Sequence, residues 1–412
     1  MTDPLQRPRR KDPLRRTTLG HVPPRLRSRA AMEMATHAAQ GRFVLQTCES
    51  CDRATYPPRD RCPNCWGELV WREQDAGGQV AAETTIRHST DTYFRNHMPW
   101  RIGTVRLDAG PTAIVHLHGE AGVGDRVNMV LKLDRGGNPA LFAMPRGDVP
   151  NMQDDPQFRS FTADPKHRRV LVTDGRTDTG QAIARALLDA GAAKVFVGDC
   201  APLMRFAGKQ QLAALDGAEL VPLDVTDTHS VGNLAAQLGG RIDIVINTAG
   251  QVREGGVAFG AKLSDLQAGL DTGVVGLMRL AQAFGPALGA RSDDGVNSAA
   301  AFLDVVPVSG LSGQSGYSGT AASAAARLSL LSGFRGEMQK AGIRVMSVLT
   351  GPVDDAWHQR LPQPKTAPSH LARTVVAALR DGQEISCAGD VAKDLFARWR
   401  ADPLLTMREE NR

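Results

Sequence analysis

The chain has 412 residues, 42% of them hydrophobic and 23% charged. This composition fits a globular protein of two or three domains and excludes a disordered or fibrous one. No run of 18 apolar residues is present, so no transmembrane helix and no membrane partner are expected. With no apolar signal-peptide core at the N-terminus, we expect a cytoplasmic protein. Residues 1–29 carry nine basic and two acidic side chains, so the net charge of +5 leaves −2 for the remainder.

The N-terminal tail holds the basic excess and is rich in proline, which predicts disorder. Helix-forming residues 32–40 (MEMATHAAQ) then predict a short lead helix. We therefore assign residues 1–40 to a disordered tail followed by this helix.

Two Cys-x-x-Cys pairs follow the lead helix, and each pair can place two thiolates on one metal ion. The four candidate ligands are Cys48, Cys51, Cys62 and Cys65. Together they predict a tetrahedral structural zinc site; iron in a rubredoxin-like centre and a site that has lost its metal are the alternatives. A closed site of four thiolates has no open coordination position, so it stabilises the fold and does no chemistry. Residues 41–77 are assigned to this zinc ribbon.

Short alternating runs between residues 78 and 145 predict five strands, which suggests a small Greek-key barrel of the OB type. The runs are 80–86, 100–107, 112–118, 126–133 and 140–144. His116 and His118 lie two apart on the third strand, where no third metal ligand accompanies them. We interpret them as ordinary histidines of the barrel.

Residues 41–145 as a block resemble a family of acyl-CoA-associated proteins built from a rubredoxin-like zinc ribbon and an OB-fold. The resemblance rests on the two cysteine pairs, on Tyr-Pro-Pro-Arg at 56–59 between them, and on Gly-Asp-x-Val at 124–127. It implies a mostly non-catalytic partner of a thiolase-like or hydratase-like enzyme that helps to hold a CoA thioester. Nucleic acid is not an expected partner, because aromatic content is only 5% and this segment is not markedly basic.

Residues 146–168 are polar, contain prolines and show no periodicity, which predicts an interdomain linker. The next stretch, 169–199, alternates a buried strand, a turn with Gly175 and Gly180, an amphipathic helix, and a second buried strand that ends at Asp199. This βαβ unit places a helix N-terminus where the pyrophosphate of a dinucleotide would lie. Asp199 is positioned to bind the adenine ribose, which would favour NAD over NADP.

Residues 169–405 resemble the short-chain dehydrogenase/reductase family, which implies a Rossmann doubly wound parallel sheet. The family's Thr-Gly-x-x-x-Gly-x-Gly turn aligns on Thr173 and Gly180, but its first two glycines fall on Asp174 and Asp178. Further matching positions, which the resemblance assigns to cofactor binding, are Asp224, Val225, Asn247, Ala249 and Gly250. Two carboxylates thus stand where phosphates would approach the backbone, which makes NAD a weakly supported cofactor.

The catalytic positions of that family are mostly altered here. The family uses Tyr as the general acid/base, a Lys four residues later, a Ser and an Asn. Tyr317 is present, Ala321 replaces the lysine, and Gly273 replaces the asparagine. Pro307 aligns with the serine, for which Ser309 is a substitute in a shifted register. Without the lysine a phenol keeps a pKa near about 10 and is a poor base at neutral pH.

Two functional hypotheses follow from these positions. The first is a non-catalytic accessory scaffold, a pseudoenzyme that acts with a thiolase-like or hydratase-like partner in acyl-CoA metabolism. The alternative is an active NAD-dependent oxidoreductase of the 3-hydroxyacyl-CoA dehydrogenase type, in which Tyr317 works with Arg327 or a partner residue as its cation. The small residues of 320–331 lie on the helix that pairs in family dimers, so a homodimer or a heterodimer with an active relative is expected.

Overall fold

The computed structural model describes residues 2–5, 22–24, 28–147, 149–291, 301–361 and 363–412. The chain divides into two compact units, the first running mainly to Asp164 and the second mainly from Pro165. Within the described residues, no helix combines the length and the apolar character that crossing a bilayer requires. Most of the basic tail predicted for residues 1–40 lies outside the described residues, whereas the lead helix is present as α1 (Arg29–Ala38).

A three-stranded antiparallel sheet follows α1 in the first unit. Its strands are β1 (Val44–Cys48), β2 (Ala54–Thr55) and β3 (Leu69–Glu73), in the order β2-β1-β3. Each Cys-x-x-Cys turn is followed by a residue with positive φ, Asp52 at 52° and Trp66 at 62°. The backbone N–H of each of these residues donates to the carbonyl of the first cysteine of its turn, at 3.0 Å. The two turns therefore share one backbone geometry, and the predicted ribbon is confirmed.

A closed five-stranded barrel completes the first unit, in the order β4-β5-β6-β8-β7. Its elements are β4 (Gly77–Ile86), α2 (Thr92–Asn96), β5 (Trp100–Leu107), β6 (Thr112–Leu117), β7 (Arg126–Leu133) and β8 (Pro139–Pro145). Alternate residues of β5, β6 and β7 point inward and pack with Met34 and Ala38 of α1. The five predicted strands are all present, and the OB-type barrel is confirmed.

The segment predicted as a linker at 146–168 is largely packed. It contains a 3-10 turn (Met152–Asp154) and α3 (Pro156–Arg159), and it buries Phe158 and Phe161. These rings pack with Trp100 and Phe142 of the barrel. The prediction of a linker is corrected for residues 149–164, because two phenylalanines spaced three apart supply an apolar face that a survey of polarity and periodicity overlooks.

The two histidines of β6 have structural roles. Nδ1 of His116 accepts from the Trp100 indole N–H at 2.9 Å, and burial lowers the pKa of His116 to about 4. The ring of His118 bonds the Met152 carbonyl through Nε2, at 3.0 Å, and accepts the Glu120 N–H through Nδ1, at 3.1 Å. Both side chains are thus held by hydrogen bonds within the unit, as expected for barrel histidines.

A seven-stranded parallel sheet forms the centre of the second unit, in the order β11-β10-β9-β12-β13-β14-β15. The strands are β9 (Arg169–Val172), β10 (Lys194–Asp199), β11 (Ala218–Pro222), β12 (Ile244–Asn247), β13 (Ala301–Pro307), β14 (Arg344–Thr350) and β15 (Ile385–Ala388). The order reverses between β9 and β12, and ligands bind doubly wound sheets at the carboxyl edge of such a switch point. The predicted Rossmann sheet is confirmed.

The helices of the second unit alternate with these strands. They are α4 (Asp178–Asp189), α5 (Lys209–Ala213), α6 (Thr228–Leu238), α7 (Leu263–Leu270), α8 (Gly276–Arg291), α9 (Ser318–Gln339), α10 (Pro368–Asp381), α11 (Gly389–Ala401) and α12 (Pro403–Glu409). A π-helical turn, Asp271–Val275, joins α7 to α8. The central strands are buried on both faces, which explains their continuous apolar runs.

Phe161 provides a test of the packed segment. Replacing Phe161 with Ala is expected to destabilise the first unit by about 3–5 kcal/mol, because it opens a cavity beside Trp100 and His116. Hydrogen exchange by mass spectrometry should show faster exchange in β5 and β8. Val123→Ala, at an exposed position of the same unit, is the control. Unchanged exchange in the Phe161 variant would show that the segment is not part of this core.

Candidate functional site

The four cysteines of the ribbon converge. Cys48 ends β1, and the pairs Cys48–Cys65 and Cys51–Cys62 bring their Sγ atoms to 3.4 and 3.8 Å. All four Sγ atoms lie within 4.8 Å of one another. Tetrahedral bonds of about 2.3 Å place sulfurs about 3.8 Å apart, so the donor set fits a single zinc ion. Backbone N–H groups, first that of Cys51, lower the pKa of Cys48 to about 6, which favours the thiolate that a metal requires.

Metal analysis tests the ribbon. The full-length protein is expected to contain one zinc ion per chain, and Cys62→Ser is expected to lose it because three thiolates leave the site open. Elemental analysis of the purified protein measures this. Cys200→Ser, which changes a thiol outside the ribbon, should keep the metal. Iron in the wild-type protein would replace the zinc assignment with the rubredoxin-like one.

The glycine-rich turn of the second unit connects β9 to α4. A Cβ on Gly180 would lie 1.8 Å from the Asp174 carbonyl oxygen, and one on Gly175 would lie 2.3 Å from Cγ1 of Val197. Both positions therefore require glycine, because the turn packs closely against α4 and β10. Gly180 holds the role that the third glycine of a dinucleotide turn has in helix packing.

The Asp174 carboxylate turns into this loop rather than out of it. Its Oδ1 accepts the backbone N–H of Arg176 at 2.9 Å, and the Arg176 guanidinium binds both of its oxygens, at 3.1 and 2.8 Å. Thr177 Oγ1, the N-cap of α4, accepts the N–H of Gly180 at 3.0 Å. Asp178 is exposed at the first position of the helix. Of the two acidic residues in this loop, Asp174 is paired with Arg176. The backbone N–H groups of Arg176 and Gly180 are hydrogen-bonded to side chains of the loop itself.

The predicted adenine-side residues lie at the ends of β10 and β11. Asp199 is buried, accepts the Ala201 N–H at 3.1 Å, and forms an ion pair with Lys209 at 2.7 Å. Asp224 Oδ1 accepts from the N–H and the hydroxyl of Thr226, at 2.9 and 2.7 Å. Val225 is buried. The two carboxylates therefore have partners within the protein.

A buried hydrogen-bond network joins β9, β12, β13 and α9. The Thr173 hydroxyl donates to Oδ1 of Asn247 at 2.8 Å, and the Asn247 amide donates to Asp304 at 2.9 Å. Arg327 of α9 completes the network through its Nε, 3.1 Å from Asp304 Oδ2, and through Nη2, which donates to the Val305 carbonyl at 2.7 Å. The predicted residue Asn247 thus anchors the site, whereas Ala249 and Gly250 line a small cavity beyond it.

The position predicted for the catalytic asparagine lies in the π-helical turn. A Cβ on Gly273 would lie 2.4 Å from Oγ of Ser323, so a larger side chain there would require the Ser323 hydroxyl to move. Tyr317 stands at the N-cap of α9, and Ala321 is buried one turn later. Burial and the nearby Glu254 raise the pKa of Tyr317 above its usual value. Its phenol is therefore a hydrogen-bond donor at neutral pH rather than a base.

Tyr317 and Ser309 line one cavity of about 250 Å³ at the carboxyl ends of β13 and β14. His358 also lines it, and its Nδ1 lies 2.7 Å from Oδ1 of Asp355. The sequence analysis did not predict Asp355, His358 or Asp304. An Asp-x-x-His in a loop has no periodic pattern, and the sequence alone does not show that an aspartate in a strand is buried. The one feature of the sequence that could have indicated Asp304 is its place within an otherwise apolar strand.

Three family models match the chain in separate stretches. The model for the ChsH2 rubredoxin-like zinc ribbon domain matches residues 35–70, and the model for the ChsH2 C-terminal OB-fold domain matches residues 71–132. The short chain dehydrogenase model matches residues 168–365. Residues 35–132 are therefore a ChsH2-type zinc ribbon and OB-fold, and residues 168–365 are a short-chain dehydrogenase domain.

The similar proteins match the part of the chain that contains the parallel sheet. The uncharacterized oxidoreductase SA2266 of Staphylococcus aureus strain N315 is 28% identical over 53% of this chain and 93% of its own length. A short chain dehydrogenase from Burkholderia cenocepacia J2315, solved in complex with NADP, is 25% identical with a TM-score of 0.54, over 60% of this chain and 98% of that one. A short-chain dehydrogenase from Streptomyces avermitilis, 23% identical with a TM-score of 0.51 over 59% and 95%, shares the fold.

The buried ion pair tests the network. Arg327→Leu is expected to destabilise the protein by about 3–5 kcal/mol, because it leaves the buried Asp304 carboxylate without its cation. Burial raises the pKa of Asp304 and Arg327 opposes that rise, so the folded pKa is higher in the variant than in the wild type. Between the unfolded pKa of about 4 and this higher value, the folded variant holds one more proton than the unfolded chain. The loss of stability of the variant relative to the wild type should therefore become smaller as the pH falls from about 8 to about 5.

Urea unfolding at the two pH values measures this deficit. Arg360→Leu breaks an exposed pair with Glu254 and is the control, because a pair in solvent contributes little to stability. A deficit in the Arg327 variant that is no larger than in the control would show that the buried pair contributes nothing to stability.

Proposed function

We propose that this protein is an acyl-CoA-associated accessory protein whose dehydrogenase domain does not transfer hydride. It would act as a scaffold with a thiolase-like or hydratase-like enzyme in acyl-CoA metabolism. The ChsH2-type ribbon and OB-fold support the accessory role, because a ribbon closed by four thiolates offers no reactive position. The second unit supports the absence of hydride transfer, for reasons that lie in its phosphate loop.

The Asp174 carboxylate is the observation that carries this proposal. A dinucleotide pyrophosphate binds to free N–H groups of such a turn. Here the N–H of Arg176 and its guanidinium already bind an internal anion, the side chain of Asp174. A phosphate would have to displace that carboxylate or lie beside it, and like charges close together in a partly desolvated site repel. The loop therefore does not fit the pyrophosphate as it stands.

The catalytic half of the site supports the same conclusion. No lysine follows Tyr317 by four residues, and the pKa of this phenol is raised rather than lowered. Proton transfer in hydride chemistry requires an acid/base with a pKa near the working pH. Ser323 fills the space next to Gly273, where the family asparagine would stand. Losses at the loop, the lysine and the asparagine act on different steps, and together they disable the reaction.

An NAD-dependent dehydrogenase of the 3-hydroxyacyl-CoA type is the second candidate. It is favoured by Arg327, whose Nη1 lies 3.6 Å from the place of a Cβ on Gly250, in the cavity that Ala249 also lines. A cation there could take the place of the lysine. The NADP bound by the Burkholderia cenocepacia relative makes a nucleotide cofactor reasonable for this fold.

We further propose that α9 forms a dimer interface, either with a second copy of this chain or with an active relative. A groove of about 250 Å³ between α8 and α9 is lined by Leu277, Met278, Leu330 and Phe334, and Met278 is exposed. Small residues near the start of α9 allow close helix approach. An active partner would supply the hydride chemistry that this chain lacks.

Calorimetric titration with NAD⁺ and NADP⁺ tests the proposal. The zinc-loaded wild-type protein is expected to show no binding at about 1 mM cofactor, a limit that corresponds to about −4 kcal/mol. Asp174→Gly combined with Asp178→Gly is expected to bind at least about tenfold more tightly, because it frees the Arg176 N–H and removes both carboxylates.

Asp189→Gly, at the other end of α4, is the matched control and should bind as weakly as the wild type. Micromolar binding to the wild-type protein would refute the scaffold proposal for this domain and leave the dehydrogenase as the better candidate.

A further inference from the structure

The cavity that contains Tyr317 has the features of a small-molecule site, and no residue of the phosphate loop is part of its lining. It has a volume of about 250 Å³ and is lined by apolar residues such as Val308 and Leu361. Polar side chains also line it, among them Ser309, Tyr317 and His358. Ligand pockets combine an apolar wall with a few such groups, and this volume lies just below their usual range of about 300–1,000 Å³. It therefore suits a small acyl group.

His358 is held in one orientation by Asp355. The Asp355 carboxylate accepts the backbone N–H groups of Trp357 and His358 at 3.0 and 3.1 Å, and it accepts Nδ1 of His358 at 2.7 Å. Both side chains are largely buried, at 6% and 15% exposure. Because a carboxylate is only an acceptor, the proton lies on Nδ1, which leaves the Nε2 lone pair for a ligand. An aspartate that fixes the tautomer of a histidine in this way prepares it to act as a base.

Tyr317 and Ser309 supply the complementary groups. The raised pKa of Tyr317 keeps its hydroxyl protonated, and a protonated phenol donates a hydrogen bond to an oxygen that gains negative charge. Ser309 offers a second hydroxyl from the turn after β13. A base and two hydroxyl donors thus line the same cavity.

Charge in the cavity favours a neutral ligand group. Among the described residues that line it, none is Lys or Arg, so a phosphate or carboxylate would find no counter-ion. Glu410, which also lines it, is bound by Arg398 at 2.6 Å. A carbonyl oxygen, in contrast, needs only the hydroxyl donors.

We propose that this cavity is a general-base site that removes a proton from the carbon next to the carbonyl of a small acyl thioester, without a dinucleotide. His358 Nε2 takes the proton from that carbon, and the C–H electron pair moves to the carbonyl oxygen as an enolate. The hydroxyls of Tyr317 and Ser309 stabilise the enolate oxygen. Return of a proton from the His358 imidazolium restores the thioester, so no oxidant or reductant is consumed.

This inference goes beyond the scaffold function and does not depend on it. The accessory proposal is decided by dinucleotide titration, whereas enolisation is measured with no nucleotide cofactor present. A chain that binds no dinucleotide and still catalyses proton exchange would agree with both proposals. If one of the two experiments fails, the other proposal is not affected.

Proton exchange in D₂O tests the site, with 2-methylacetoacetyl-CoA as the probe. Its single proton at C2 is followed by NMR, with the full-length protein and no nucleotide. The wild-type protein is expected to exchange this proton well above the buffer rate. His358→Gln should lower the catalysed rate by about 10²-fold or more, the usual contribution of a general base. His370→Gln, on α10 and outside the lining of the cavity, is the matched control and should keep the wild-type rate.

Tyr317→Phe is the second variant and should lower the catalysed rate by about 10²-fold through loss of an oxyanion donor. It removes one oxygen atom and keeps the ring, so it remains informative if the His358 variant fails to fold. A wild-type rate equal to that of the buffer would overturn the proposal. Equal rates in the wild type and folded His358→Gln, or in the wild type and Tyr317→Phe, would overturn it as well.

Discussion

The buried ion pair of Asp304 with Arg327 is the interaction on which the dehydrogenase domain depends most. Asp304 is fully buried in β13, where an unpaired carboxylate would be costly. Arg327 satisfies both of its oxygens from α9, and Asn247 adds a third hydrogen bond from β12. Through Asn247 the network reaches Thr173, at the start of the turn between β9 and α4. One set of contacts thus fixes the strand ends and the helix that begins next to Tyr317.

The same network also supports the shape of the phosphate loop. Thr248 bonds both the N–H and the carbonyl of Asp174, so the loop is fixed to β12 by protein contacts alone. Arg176 then neutralises Asp174 from within the loop. In a dinucleotide-binding domain, a bound phosphate would contribute to the order of this turn. Here the protein supplies the anion itself, and the folded loop has less to gain from a ligand.

The architecture could be predicted from the sequence because it follows from periodicity and turn residues. The strands of the sheet and barrel are short apolar or alternating runs closed by Gly, Pro and Asp, and these patterns dictate element type directly. The cysteine spacing likewise predicted that four thiols come together, as they do in the ribbon. The packing of the segment with Phe158 and Phe161 was not predicted, because its burial depends on a tertiary contact with Trp100 and not on a periodic pattern in the sequence.

The candidate site could be predicted less completely, because the type of a residue does not show which group its side chain binds in the folded protein. Asp174 was expected to oppose a phosphate and Asp199 to bind the adenine ribose, yet each carboxylate binds a cation of its own chain, Arg176 and Lys209 respectively. His358 was overlooked because its role depends on the cavity and on Asp355 three residues earlier. The phosphate loop is held by Arg176 and Thr248, whereas His358 is held by Asp355, so these two regions are positioned by separate contacts. A change in the loop therefore need not disturb the pair of Asp355 and His358, and the proton transfer proposed for the cavity does not depend on whether the loop binds a dinucleotide.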